Sequence, residues 1–176
     1  NGYAGFDWNN FNVINGANPD NAGTGYQHGV VSSPNTAFNG YANPASFSRA
    51  IEFTLNSLYI TRAWNDGTTR FEGFNGVNSL FVLDVFATTS VPTLVNFGWA
   101  GITRVVMTTL GGDRSHAAID DITVNAAAGR GPAAGFRSAG HARHRSQKAC
   151  AGWAGGVNGP LRFRSSKKAT ARSLFV

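Results

Sequence analysis

Asp120 and Asp121 stand side by side in the segment Ala117 to Asn125 (AAIDDITVN), and they are the carboxylates whose placement carries the clearest chemistry. In a strand, consecutive side chains point to opposite faces, so at most one of the two lies against a core while the other meets solvent or a loop. A buried carboxylate must be paired or must hold a metal. Calcium takes about six to eight oxygens from carboxylates, amide side chains and backbone carbonyls, and the chain is rich in asparagine. The expectation is a structural calcium on Asp121, with Asp120 beside it, Asp7 from the first strand and backbone carbonyls. The alternative is that Asp121 only accepts hydrogen bonds from loop amides.

Aromatic groups offer a second kind of chemistry. Sugar rings present apolar C–H faces to aromatic planes, while Asn and Asp bond their hydroxyls. Trp64, followed by Asn65 and Asp66, has that composition, and Tyr26 and Tyr41 flank long loops. These five residues are the candidate ligand contacts, with Trp8 and Trp99 assigned to the core. The segments Asn18 to Asn21 (NPDN) and Asn65-Asp66-Gly67 could also ligate calcium, but they have the ordinary composition of β-turns.

Catalytic patterns find less support. Glu52 and Glu72 are the only glutamates, each inside a strand-like segment, where a glycosidase needs two facing carboxylates. No G-x-S-x-G elbow and no phosphate-cradling glycine loop occurs, so neither a serine nucleophile nor a nucleotide cofactor is expected. His28 and His116 are the only histidines before position 128, and His116 reads either as a solvated loop histidine or as a lone metal or acid–base group. The expectation is a protein without enzymatic activity.

The elements that must position these groups are short and of period two. Gly5 to Ile14 reads as a first strand with a one-residue slip at Asn9-Asn10 that suggests a bulge. A loop over Asn15 to Gly25, a short strand around Tyr26 to Ser32 and a second loop over Ser33 to Pro44 follow. Ser48 to Asn56 alternates, with Arg49, Ile51, Phe53 and Leu55 on one face, and Leu58 to Trp64 continues as another strand. The hairpin TTRFEGF-NG-VNSLFVLDVF places Asn75-Gly76 where a type I′ turn needs two positive φ angles. Thr93 to Trp99, Thr103 to Thr109 and Ala117 to Asn125 bring the count to eight or nine strands. That spacing predicts an all-β, two-sheet antiparallel sandwich of jelly-roll type.

Charge divides the chain near position 128. Residues 1–128 hold five arginines against nine carboxylates, a formal charge of −4; residues 129–176 hold ten basic residues and no acidic one, +10. The first part carries 17 of the 21 aromatic residues and forms the expected sandwich domain; the second is a Gly/Ala/Arg/Ser-rich basic tail, expected to be disordered. Such a tail is either an arm with salt-sensitive, non-specific affinity for nucleic acid or an anionic surface, or an aberrant terminus of the kind a shifted frame through GC-rich DNA produces. Specific nucleic-acid recognition is not expected. The lone Cys150 excludes an intrachain disulfide. A first residue of Asn implies a processed or truncated chain, and no apolar run is long enough for a spanning helix.

Two resemblances add to this reading. The segment HAAIDDITV resembles the closing strand of calcium-stabilised jelly-roll carbohydrate-binding modules. Over about Tyr3 to Val124, the order GFDWNNFNV, SLYITRAWNDG, LVNFGWAGI, AIDDITV is similar to exported bacterial β-sandwich proteins of the PEP-CTERM sorting type, whereas the tail lacks the Pro-Glu-Pro and hydrophobic span of that type. The resemblance implies a bacterial protein, secreted or on the cell surface. The expected function is a non-catalytic binding module for glycans, with a structural cell-envelope or matrix protein as the alternative.

Overall fold

The computed structural model describes residues 2–112, 115–126 and 160–161. Nine strands form one antiparallel hydrogen-bonded network: β1 (Asp7–Asn9), β2 (Phe11–Asn15), β3 (Asn35–Asn39), β4 (Ala45–Arg62), β5 (Gly67–Asn75), β6 (Asn78–Ala87), β7 (Thr93–Thr109), β8 (Ala117–Ala126) and β9 (Pro160–Leu161), with one helical turn, α1 (Gly25–His28). Among the described residues no helix is long and apolar enough to cross a membrane.

Two long strands turn this network into a sandwich. Ser48 and Phe53 of β4 face Arg104 and Ile102 of β7, so β4 carries three extra residues at that point and bends. β7 answers with bulges between Leu55/Phe53 and Leu55/Ser57, absorbed at Gly98 (φ 63) and Gly101 (φ 72), conformations that favour glycine. The outcome is a first sheet ordered β2, β3, β8, second half of β4, first half of β7, and a second ordered β1, first half of β4, second half of β7, β5, β6. Counting the eight strand segments from β3 onward, the first sheet runs 1-8-3-6 and the second 2-7-4-5, which is the jelly-roll winding expected from the sequence. β1 and β2 extend one edge of each sheet.

Aromatic rings fill the space between the sheets. Phe71 of the second sheet meets Phe97 of the first edge-on at 5.2 Å, and Phe81 stacks on Trp99 at 5.3 Å. Phe6, Phe47 and Phe53 form an edge-to-face group beside the β4 bend, and Trp8 packs on Phe47. Trp99 is buried and Trp8 partly so, as their core assignment required.

Several local expectations are corrected. Tyr26 to Ser32 is not a strand: Gly25–His28 is a helical turn, capped by Thr24 backbone contacts, that lies on β4 and β8. The second loop contains β3, whose polar NTAFN sequence hides a strand because Thr36 and Asn39 bury their polar groups in hydrogen bonds to Ile119 O and Ala117 N. The slip at Asn10 (φ 55) is a crossing from the second sheet to the first. Ile51 is exposed, because the residues between Ser48 and Phe53 leave the alternation at the bend. The hairpin closes one residue later than expected. Asn75 pairs with Asn78, and only Gly76 has positive φ (57), so the two-residue loop has the form of a II′ turn.

Apart from Pro160–Leu161, the basic segment lies outside the described residues. Its one described piece is Pro160–Leu161, which pairs with Thr123 and Ile122 of β8.

Candidate functional site

Jelly-roll winding gathers the described residues of four connections at one end of the sandwich: 40–44, 63–66, 88–92, and 110–112 with 115–116. Backbone and side-chain hydrogen bonds tie them together. Arg62 N donates to Thr88 O at 2.9 Å and Ala63 N to His116 O at 2.9 Å. Asn39 Nδ2 donates to Thr109 Oγ1 at 3.3 Å, and that hydroxyl donates to Ala42 O at 3.2 Å.

Trp64 follows the end of β4 on this rim and is 45 % exposed. Its indole meets the Tyr26 ring edge-on at 5.7 Å, and Tyr26 in turn packs against Phe38 at 5.0 Å. Tyr26 is only 4 % exposed, so it is corrected from ligand contact to support beneath Trp64. Asn65 and Asp66 are exposed beside the indole, although Asp66 already accepts Thr89 N at 2.7 Å. On the same Thr89, His28 Nδ1 donates to the carbonyl at 2.7 Å. Tyr41 stands 88 % exposed on the neighbouring connection, in a left-handed conformation (φ 54) that non-glycine residues seldom adopt. Trp64, Asn65, Asp66 and Tyr41 therefore share one rim, and Tyr26 lies under it.

His116 is a residue the sequence left open. It is half-buried: its Nδ1 shares a short hydrogen bond with Tyr26 Oη and its ring lies 5.5 Å from Phe38. Burial, and then the charge of Arg62, hold its pKa below the ordinary imidazole value. Burial pushes the Tyr26 phenol up to about 12, with Trp64 pulling weakly the other way. A phenol whose pKa is raised on folding stabilises the fold fully below the unfolded value of 10.0 and loses that contribution as pH climbs toward about 12. Two pKa units correspond to about 2.7 kcal/mol. Absorbance at 295 nm is thus expected to show one tyrosine titrating near pH 12 together with a fall in stability from pH 10 upward; Tyr26→Phe removes that tyrosine step. A Tyr26→Phe titration curve unchanged from wild type would refute the assignment.

The two adjacent carboxylates divide their roles in the reverse of the expected way. Ile119 and Ile122 both face the core, so the Asp120-Asp121 pair between them sits on the outer side, and Asp121 (φ 46) is the extra residue of a bulge opposite Leu58. Asp120 is the buried one. Its Oδ2 accepts Val31 N at 2.8 Å and Ser32 N at 2.7 Å, and its Oδ1 accepts Ser32 Oγ at 2.9 Å and Asp121 N at 2.8 Å. Burial raises its pKa against the pull of those hydrogen bonds. A carboxylate has about four acceptor positions, and all of them are used, so Asp120 has none left for a cation.

Asp7 lies on β1 at the edge of the second sheet. With Trp8 turned to the core, Asp7 faces solvent there, away from β8. The expected set Asp121, Asp120 and Asp7 therefore does not converge, and no cluster of three metal-ligating His, Cys, Asp or Glu side chains exists among the described residues. Asp121 keeps one distinctive feature: its Oδ1 is buried without a hydrogen-bond partner, as is Asn56 Oδ1 at the other irregularity of the same β4–β8 ladder.

Glu72 points outward between the inward Phe71 and Gly73, and Glu52 lies at the β4 bend, accepting Asn75 Nδ2 at 2.8 Å. The Asn18-to-Asn21 segment is a capped turn in which Asn18 Oδ1 accepts Asp20 N. Sequence reasoning missed Arg62. A signal was present, since Leu58, Ile60 and Arg62 alternate on one face and the first two are core residues. No family model matches the chain, and no curated protein or solved structure matches it either.

Proposed function

We propose that this chain is a non-catalytic binding module, secreted or on the surface of a bacterium, whose ligand is a glycan of the cell envelope or its surroundings. The observation that supports this reading is Trp64. A large indole left 45 % exposed on a loop rim, braced edge-on by a buried tyrosine, is a rigid stacking plane, and Asn65 beside it offers amide donors and acceptors for hydroxyls. Rigid support matters because a platform that is already ordered loses little entropy on binding.

Trp64→Ala is expected to weaken glycan binding by about 2 kcal/mol, roughly thirtyfold in Kd, as central aromatic contacts do. The melting temperature should stay near the wild-type value, because the lost ring is at the surface. Isothermal titration with a glycan found on an array measures the first effect and calorimetry the second. An array that stays silent with folded protein favours the structural envelope component instead.

A structural calcium belongs to the same proposal on a narrower basis than the sequence suggested. Its support is the unpartnered Oδ1 of Asp121, with Asn56 Oδ1 in the same condition on the neighbouring strand. Calcium at a hundredfold excess over Kd should stabilise metal-free protein by about 2.7 kcal/mol, and Asp121→Asn should remove the gain. A melting temperature indifferent to calcium would discard the metal.

A further inference from the structure

Strand β6 has the composition of a strand covered on both faces, and it lies at an edge of the second sheet. Residues 80–86 read LFVLDVF. Phe81, Leu83 and Val85 pack against the core, whereas Leu80, Val82 and Phe86 stand exposed. A run that is apolar on both sides belongs to strands with neighbours all round. Among the described residues, however, β6 pairs with β5 alone.

The register shows which backbone groups this edge presents. Thr68 O accepts Leu110 N, just past the end of β7, at 2.9 Å, so Thr68, Arg70 and Glu72 turn their backbone groups toward β7 while Thr69 and Phe71 turn theirs toward β6. Phe86, Asp84 and Val82 stand opposite the first three. Their N–H and C=O groups therefore point away from β5, into the open edge. Sheet edges are ordinarily blunted by shortness, polar or charged residues, proline or bulges. The other edges have such protection: β1 is three residues long, β2 carries Asn12 and Asn15, and the first half of β7 is broken at Gly98 (φ 63). β6 contains no lysine or proline and keeps a regular register over residues 81–87. Its one charge, Asp84, is already matched by Arg70, whose Nε and Nη2 donate to the carboxylate at 2.7 Å and 2.8 Å.

We propose that β6 pairs with β6 of a second copy of this chain, antiparallel about a two-fold axis at Leu83, which joins the two second sheets into one. On the core side Leu83 then meets Leu83 of the other copy and Phe81 meets Val85, so the two cores become continuous. On the outer side Phe86 meets Leu80 and Val82 meets Asp84, with the outward backbone groups of Val82 and Asp84 facing each other as a hydrogen-bonded pair requires. Charge selects this register and this partner. An axis at Asp84 would set two carboxylates face to face, and one at Val82 would set Phe86 against Asn78. A neutralised edge offers nothing to an ionic partner, whereas it complements itself. Val82 is 57 % and Phe86 64 % exposed. An edge so exposed removes on the order of 500 Å² per copy, about 1,000 Å² in total, the lower limit for a specific contact, so the dimer dissociates in the micromolar range. The contact is isologous, and it closes at two copies. None of this depends on the glycan reading.

Sedimentation velocity of the full chain over a concentration series is expected to show a monomer passing into a dimer. Amide exchange over the same series should show Val82, Asp84 and Phe86 gaining protection, while Leu83 and Val85, already bonded to β5, change little. Val82→Asp sets carboxylate against carboxylate twice in the dimer and should weaken it about tenfold; Val82→Lys sets an ammonium against a carboxylate and should leave it as strong or stronger. Val82→Pro removes an edge N–H that no bond within the chain uses and should leave a folded monomer. If that variant does not fold, Val82→Asp, a change at an exposed position, carries the test. A chain that stays monomeric at every concentration overturns the proposal. Protection of the three amides already complete in the monomer assigns the edge to the chain's own basic segment and overturns it as well. Equal weakening by Val82→Asp and Val82→Lys overturns the register at Leu83. A dimer untouched by both Val82→Asp and Val82→Pro lies on another surface and overturns the assignment to β6.

Discussion

Asp120→Ala is expected to lower the unfolding free energy by about 3 to 5 kcal/mol, the cost of leaving several buried donors without acceptors. Four groups lose their partner at once: the amides of Val31, Ser32 and Asp121 and the Ser32 hydroxyl. No other strand residue of the chain fastens a loop to the outer face of the first sheet through so many bonds among the described residues. Asp120→Asn is a sharper probe. It preserves volume and one carbonyl oxygen but turns an NH2 group toward donors, so it should recover only a minor part of the loss. Urea denaturation gives the magnitude, and amide exchange gives the place, with Val31 and Ser32 exchanging faster than the core strands. A loss below about 1 kcal/mol, the worth of a single ordinary hydrogen bond, would show that the loop is held by other means.

Phe53→Ala is the second large effect, about 3 to 5 kcal/mol for removal of a buried aromatic ring. Phe53 is fully buried immediately after the bend of β4, edge-on to Phe6 at 5.0 Å and 6.1 Å from Phe47, with Arg49 lying 5.0 Å over its ring. Phe47 belongs to the half of β4 in the second sheet and Phe53 to the half in the first, so the cavity would open where one strand passes between sheets. Phe53→Leu fills much of that space and should cost distinctly less. Equal losses for the two variants would mean that ring geometry at the bend, and not buried volume, decides the energy.

The hairpin β5–β6 was legible because Asn-Gly between alternating apolar residues is a local signal, and only its closing position was misplaced. The bends in β4 and β7 were not. Ser48 to Asn56 and Leu58 to Trp64 read as separate strands because alternation breaks between them, yet the backbone pairs with β7 on both sides of the irregularities. Strand β3 was invisible for a different reason: Thr36 and Asn39 are buried polar residues whose partners lie on β8 or just before it, far away in sequence. The Trp64 rim was found from composition, whereas the burial of Tyr26 beneath it depends on Phe38 and His116, contributed by other segments.

By itself the sequence determined the all-β class, the jelly-roll expectation, the core places of Trp8 and Trp99 and the exposed aromatic at Trp64, because period-two alternation and turn chemistry are properties of neighbouring residues. Tertiary structure alone decided which of Asp120 and Asp121 is buried. A single bulge at φ 46 shifts the alternation by one residue and turns both side chains to the same side, where the Val31-Ser32 amides meet only the first of them. It alone also decided that Arg62 would lie inside with no ion pair among the described residues, since burial depends on every element packed around it and is written in no one of them.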